Sequence, residues 1–303
     1  MTTDDPRSNR KPDAWVDPAE VFQPLLIESV VGGIGNLPTL PAVAAYLMNH
    51  VDEDVHVPKV IQMLSYDQVM TARILRFANS AFIGSPTPVK TVVDAIHVIG
   101  QNALRETICI SAVSGLMMTD QCSNFDLKVF WRHSIAAACC AASLARQVGA
   151  NPSQAFTAGL LHDIGRMVLA CTFPREYSET LRYHTQTGCT LLRAEQASIG
   201  IDHIQTGVEL ARHWKLDDGL RAALTNHHSN AALTQASSSS VPAIVYLSNL
   251  ISHAVELSDP EDVSDSDDIA EGLLAVGVPR AAYPEVLAEA RAAYRQAVEA
   301  LSL

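Results

Sequence analysis

The chain has 303 residues, 48% of them hydrophobic and 18% charged, enough apolar material for one large core or two modest ones. Its 21 Lys+Arg against 33 Asp+Glu give a formal charge of −12, which opposes general binding to the phosphate backbones of nucleic acids. The opening MTTDDPRSNRKPDAW is polar and lacks the apolar core of a signal peptide, and no apolar run is long enough for a membrane span, so a cytoplasmic protein without membrane attachment is expected.

Residues 1–17 read as a disordered lead-in. From Pro18 the apolar spacing is helical: Asp17-Pro18 offers an N-cap and a first-turn proline, Val21, Leu25 and Ile27 follow on one face, and Gly32-Gly33-Ile34-Gly35 is expected to break the helix. Leu37-Pro38-Thr39-Leu40-Pro41 is a rigid turn into a helix over 42–49. Val57-Pro58 opens the next, with Val60, Ile61 and Leu64 on one side. Asp67 can cap another that runs to Asn79, and Gly84-Ser85-Pro86-Thr87-Pro88 ends it. Helices over 91–99 and 101–118 follow, separated by Gly100.

The Ala-rich stretch 126–148 reads as a long helix closed by Gly149. Asn151-Pro152 opens a helix expected to run unbroken through His162-Asp163 toward Ala170, with Phe173-Pro174 as its stop. Further helices are predicted over 176–185, 191–198, 203–214 (capped by Asp202) and 218–227. A linker at 237–240 precedes the last two, over 242–257 and 284–301. No Lys or Arg stands between Arg221 and Arg280, whereas acidic residues crowd from Glu256 to Glu271, so this segment reads as a solvated acidic loop. There is no strand pattern and no fixed-period repeat; the fold class is all-α. Cys109, Cys122, Cys139, Cys140, Cys171 and Cys189 form no CxxC pair and read as small buried hydrophobes in a reducing compartment.

Among eleven histidines, context singles out His133 in Trp131-Arg132-His133-Ser134, His162-Asp163 in Gly159-Leu160-Leu161-His162-Asp163-Ile164-Gly165, His203 after Gly200-Ile201-Asp202, and the doublet His227-His228. A carboxylate in an apolar helix needs a cation, a metal or several donors to offset its burial. Imidazole and carboxylate together suit iron, manganese or zinc, and the absence of cysteine partners speaks against structural zinc. The plainer alternative is that Asp163 pairs with Arg166 at i+3 and His162 is a satisfied core histidine. The doublet, taken alone, could simply complement a helix C-terminus.

The ordered series Leu37-Pro38-Thr39-Leu40-Pro41, Leu75-Arg76-Phe77-Ala78-Asn79-Ser80-Ala81, Ala95-Ile96-His97-Val98-Ile99-Gly100, Phe130-Trp131-Arg132-His133-Ser134, Gly159 to Gly165, Glu195 to Gly207 and the helix ending in His227-His228 resembles the HDOD family (HD-related output domain) over about two-thirds of the chain. The resemblance implies a multi-helix HD-like bundle with additional N-terminal and C-terminal helices. Residues 18–230 would form the domain with its N-terminal helix, and 231–303 a helical extension carrying the acidic loop. Kinship with the HD and HD-GYP phosphohydrolases implies a divalent transition metal, iron or manganese ahead of zinc, held by His133, His162, Asp163, His203, His227 and His228. Arg166, where HD-GYP proteins have lysine, would hold a phosphate group.

The sequence also departs from these patterns. Asn249, in Tyr246-Leu247-Ser248-Asn249-Leu250, stands where the superfamily has a late aspartate, and Ser229-Asn230 follows His228 with no Glu and no Gly-Tyr-Pro motif. Tyr66-Asp67-Gln68 stands where the family usually has Asp followed by Pro. No receiver, GGDEF or EAL partner domain is recognisable. The resemblance therefore implies a stand-alone regulatory protein that relays signals through contacts with other signalling proteins. The other reading is a metal-dependent phosphohydrolase acting on a nucleotide or another phosphorylated small molecule.

Overall fold

The computed structural model describes residues 24–37, 39–50, 56–80, 83–85, 87–116, 121–235, 240–255, 257 and 266–301. Among these residues the chain is helical, with no strand. The first half holds α1 (Ile27–Gly35), α2 (Ala42–Asn49), α3 (Val57–Ser65), α4 (Gln68–Ala78), α5 (Val92–Leu116), α6 (Leu127–Gln147), α7 (Pro152–Leu161) and α8 (Ile164–Thr172). Then come α9 (Pro174–Thr187), α10 (Leu191–Ser198), α11 (His203–His213), α12 (Asp218–Asn226), α13 (Ala231–Gln235), α14 (Val241–Ala254), α15 (Asp267–Val276) and, after a short 3-10 turn, α16 (Tyr283–Leu301).

Side-chain caps set several of these starts. Asp67 accepts from the Met70 nitrogen, Asp126 from Lys128 and Val129, and Asn151 from Ser153 and Gln154. Asp202 and Gln205 form a reciprocal capping box ahead of α11. Each cap satisfies backbone N–H groups that have no partner inside the helix. The long Ala-rich α6 is the hub: from Ser134 to Ala145 every side chain is buried, and α7, α14 and α16 pack along it. A helix apolar on all sides is a central one, and its small residues let neighbours approach closely.

The observed elements differ from the sequence expectation at several places. The helix before Leu37 is not broken by its glycines; α1 runs through Gly32, Gly33 and Gly35. Gly33 is needed for packing, because a Cβ there would collide with the Thr172 methyl at the end of α8. At Gly100 the expectation holds: its backbone is not helical, at φ 82° and ψ 167°, and it divides α5 into two helical segments. The helix expected to cross His162-Asp163 ends at Leu161 and restarts at Ile164. Part of the expected acidic loop is also helical, since α15 begins at Asp267. Ser266 caps it, and Asp267 and Asp268 in its first turn complement the positive end of the helix dipole. The short α13 had no counterpart in the expectation. The lead-in 1–17, the helix start at Pro18, most of the linker and residues 256 and 258–265 of the acidic stretch lie outside the described residues.

Candidate metal centre

His133 stands near the start of α6, on a turn anchored by buried Phe130 and Trp131. The His-Asp pair sits at the corner between α7 and α8, where the helix axis turns. His162 is the C-cap of α7, and its Nδ1 lies 2.7 Å from the Gly159 carbonyl, which the helix leaves without an internal partner. His227 repeats the device as the C-cap of α12, with Nδ1 2.7 Å from the Leu224 carbonyl. A carbonyl only accepts, so in both rings Nδ1 carries the proton and donates it. In its neutral form each ring then presents a bare Nε2 lone pair.

His203 is the first residue of α11 and has no exposed surface. Its Nδ1 donates to Glu195 Oε2 at 2.6 Å, and its backbone nitrogen donates to the same oxygen at 3.0 Å. The other Glu195 oxygen accepts from the Tyr177 hydroxyl at 3.0 Å. Glu195 and Tyr177 were not among the expected site residues. Glu195 lies in a segment that carried the family resemblance, but nothing local marks it as a partner of His203. Close approach of α8 to α11 seats His203 beside Asp163: a Cβ on Gly165 would collide with the His203 carbonyl and come within 2.7 Å of the Gly207 nitrogen.

All six expected ligand residues converge, in two groups that share Asp163. One is His133, His162 and Asp163; the other is Asp163, His203, His227 and His228. His203 Nε2 and His227 Nε2 lie 3.4 and 3.3 Å from Asp163 Oδ1. His162 and His133 lie 3.8 and 3.9 Å from Oδ2. Nε2 atoms also face one another, at 3.2 Å between His133 and His162 and at 3.1 Å between His203 and His228. Two ligand atoms each about 2.1 Å from one cation stand roughly 3.0–3.4 Å apart, so these spacings suit shared ligation.

Arg166 donates from Nη1 to Asp163 Oδ2 at 2.8 Å, so the i+3 ion pair weighed from sequence is present. It satisfies only one of the two oxygens. Asp163 Oδ1, His227 Nε2 and Asn249 Oδ1 are buried with no hydrogen-bond partner among the described residues. A buried anion and two buried lone-pair atoms without donors are costly unless a cation meets them. The donor set of imidazole nitrogens and a carboxylate therefore fits a metal cation.

Burial sets the protonation states. It pushes His162 down to about 4, with His227 adding to the effect, and the partial burial of the more exposed His228, beside His227 and His203, lowers that ring to about 3. His133 is likewise held well below its usual value, first by burial and then by His162. Burial works to raise Asp163, but His162 and Arg166 outweigh it and hold the carboxyl well below the ordinary range. His203 is raised despite burial, because Glu195 faces it. The result is an ionised carboxylate ringed largely by neutral imidazoles.

The centre borders a cleft of about 540 Å³ lined by His133, Arg166, Ser252 and His253, among others. His253, not expected at the site, stacks on His133 with ring centroids 4.3 Å apart. Asn249 is buried beside His227, its Nδ2 3.5 Å from the His227 carbonyl.

The HDOD domain family model matches residues 37–230. A solved structure of a protein provisionally named a phosphohydrolase, from Shewanella amazonensis SB2B, is 25% identical with a TM-score of 0.69, covering 89% of this chain and 98% of that one. An HDOD domain protein with unknown function from Geobacter sulfurreducens is 23% identical with a TM-score of 0.65, covering 88% and 98%. Ribonuclease Y of Mycoplasmoides gallisepticum is 28% identical over 123 residues, which is 40% of this chain and only 18% of that protein's length.

Proposed function

The chain belongs to the HDOD family, and from that premise we propose that it is a regulatory module whose His/Asp centre takes a divalent transition metal and whose output is made through contacts with other signalling proteins. The observation that carries the metal reading is the orphaned Asp163 Oδ1, with the Nε2 atoms of His203 and His227 aimed at it. His133, His162, Asp163, His203, His227 and His228 would hold the metal. Hydrogen bonds at Nδ1 of His162, His203 and His227 fix those rings with Nε2 turned inward, as outer partners do for metal-ligating histidines.

A regulatory role is favoured over hydrolysis by the substitution at Asn249. A neutral amide beside His227 supplies less charge to hold a second cation than the carboxylate expected there. Elemental analysis of protein purified without chelator or nickel resin tests the metal. At least one iron, manganese or zinc per chain is expected, lost in His162→Ala with helical circular dichroism retained. Metal-free protein that takes up none of these ions when they are supplied would refute the reading.

One observation supports a second reading, a metal-dependent phosphohydrolase. Asp163 is common to both ligand groups, and Arg166 extends from it to the wall of an open cleft. A bound divalent cation supplies Lewis acidity toward a phosphoryl oxygen. Arg166 would then orient the phosphoester, and the cleft would admit a nucleotide or similar small molecule. Hydrolysis of a nitrophenyl phosphodiester by manganese-loaded protein, lost in Arg166→Ala with the metal retained, would establish it.

A further inference from the structure

A second cavity, of about 370 Å³, lies on another side of α6, between that helix, α4, α5, α7 and α16. It shares no lining residue with the histidine cleft, although both border α6: Trp131 lines this cavity, and Arg132 and His133 line the other. Successive residues on a helix point about 100° apart, so Trp131 and His133 face away from each other. The volume falls within the range of small-molecule sites.

The lining divides into two chemistries. Phe77, Trp131 and Phe156, all buried, and Ala297 from α16 make an apolar body. Three cations, Arg73, Arg76 and Lys128, stand around it, and Glu106 is the one acidic residue of the lining. Arg73 is held in place by donating to the Ser111 carbonyl. No carboxylate pairs with any of the three cations among the described residues. In a chain of net charge −12, three cations gathered on one apolar cavity and left without acidic partners are a local reversal of sign. Burial also pushes the Glu106 carboxyl up to about 7, with Arg146 opposing and Glu289 reinforcing the shift, so near neutrality it repels an anion weakly.

We propose that this cavity is a binding site for a small amphiphilic organic anion, with its aromatic or alkyl body against Phe77, Trp131 and Phe156 and its acidic head group among Arg73, Arg76 and Lys128. The site is independent of the metal reading. None of its residues is a candidate ligand of the histidine centre.

The probe is anilinonaphthalene sulfonate, followed by its own fluorescence and by energy transfer from tryptophan, with decanoate as competitor and uncharged phenylnaphthylamine as control. The 303-residue chain is expected to bind one probe per chain saturably, with decanoate displacing it. Arg73→Gln combined with Arg76→Gln should weaken binding at least tenfold. Ala297→Trp, which fills the cavity from the α16 side, should abolish it, and His162→Ala should leave it unchanged. Circular dichroism and thermal melting of each variant separate loss of the site from loss of the fold. If the double arginine variant does not fold, Lys128→Gln carries the charge test and Ala297→Trp the location. Absence of saturable binding, equal binding by folded cavity variants, or equal affinity for the uncharged control would overturn the proposal.

Discussion

Glu195 Oε2 lies 2.6 Å from Nδ1 of His203 and 3.0 Å from the same residue's backbone nitrogen, and neither side chain has any solvent exposure. One carboxylate oxygen thus satisfies the start of α11 and fixes which nitrogen of His203 faces Asp163. Glu195→Gln keeps the shape but replaces a charge-assisted bond with a neutral one. It should weaken manganese or iron binding by roughly 10- to 100-fold, the usual effect of losing an outer partner of a metal-bound histidine. Metal titration by calorimetry reads this, and unchanged affinity would show that Glu195 serves only the fold. Glu195→Ala should also destabilise by about 2–5 kcal/mol, since it strands the Tyr177 hydroxyl and the His203 donors.

Gly165→Ala should be among the most damaging single-methyl changes in the chain. The added carbon has no room against the His203 carbonyl and the Gly207 nitrogen, which are backbone atoms and cannot rotate away. Overpacking of this kind costs about 3 kcal/mol, or roughly 5–10 °C in Tm, because α8 and α11 must separate. The same separation moves His203 from Asp163, so metal uptake should fall with stability. A variant that melts within a degree or two of the parent would contradict the packing described here.

Asn249 Oδ1 is buried close to His227 and has no hydrogen-bond partner among the described residues. Asn249→Asp places an anion where that amide oxygen is. If the centre descends from a two-cation site, the metal-to-protein ratio should rise, and phosphodiester turnover should appear or increase. In metal-free protein the same change should be destabilising, by about 1–3 kcal/mol, because the new carboxylate lacks a compensating charge. A ratio and turnover equal to those of the parent would remove the case for a vacated second position.

Glu106 supplies a pH test away from the histidines. Its folded carboxyl is raised from 4.5 to about 7 by burial, against Arg146 and with Glu289. Between these values the folded state holds a proton that the unfolded chain has released. Stability from this group is therefore full below pH 4.5 and is lost as pH rises through 7. Glu106→Gln removes the titration. The variant should match the parent near pH 4.5 and exceed it by about 1–2 kcal/mol at pH 8, a half-buried group being partly screened. Paired urea melts at the two pH values check this, and an equal difference at both would mean that the carboxyl does not titrate as described.

Much of the candidate site was legible one residue at a time. His133, His162-Asp163, His203 and the His227-His228 doublet were marked by their immediate neighbours, and the structure brings all of them to one carboxylate. Glu195 was not legible in this way. It is an ordinary glutamate in a short helix, and only its burial against His203 and Tyr177 distinguishes it. His253 was likewise one histidine among eleven until the fold set its ring on His133.

The sequence by itself determined the helix starts, because a cap is made within three residues of the chain: Asp67, Asp126, Asn151 and Asp202 each accept from a nitrogen two or three positions on. It determined the all-α class through the spacing of its apolar residues, which is also a local property. The tertiary structure decided that α1 continues through its glycines, since Gly33 is needed against Thr172, a residue far along the chain. It decided that the helix turns at His162-Asp163, and which nitrogen of each buried ring faces inward. Those outcomes depend on contacts between distant segments, which form only when the helices pack and which no short window of sequence contains.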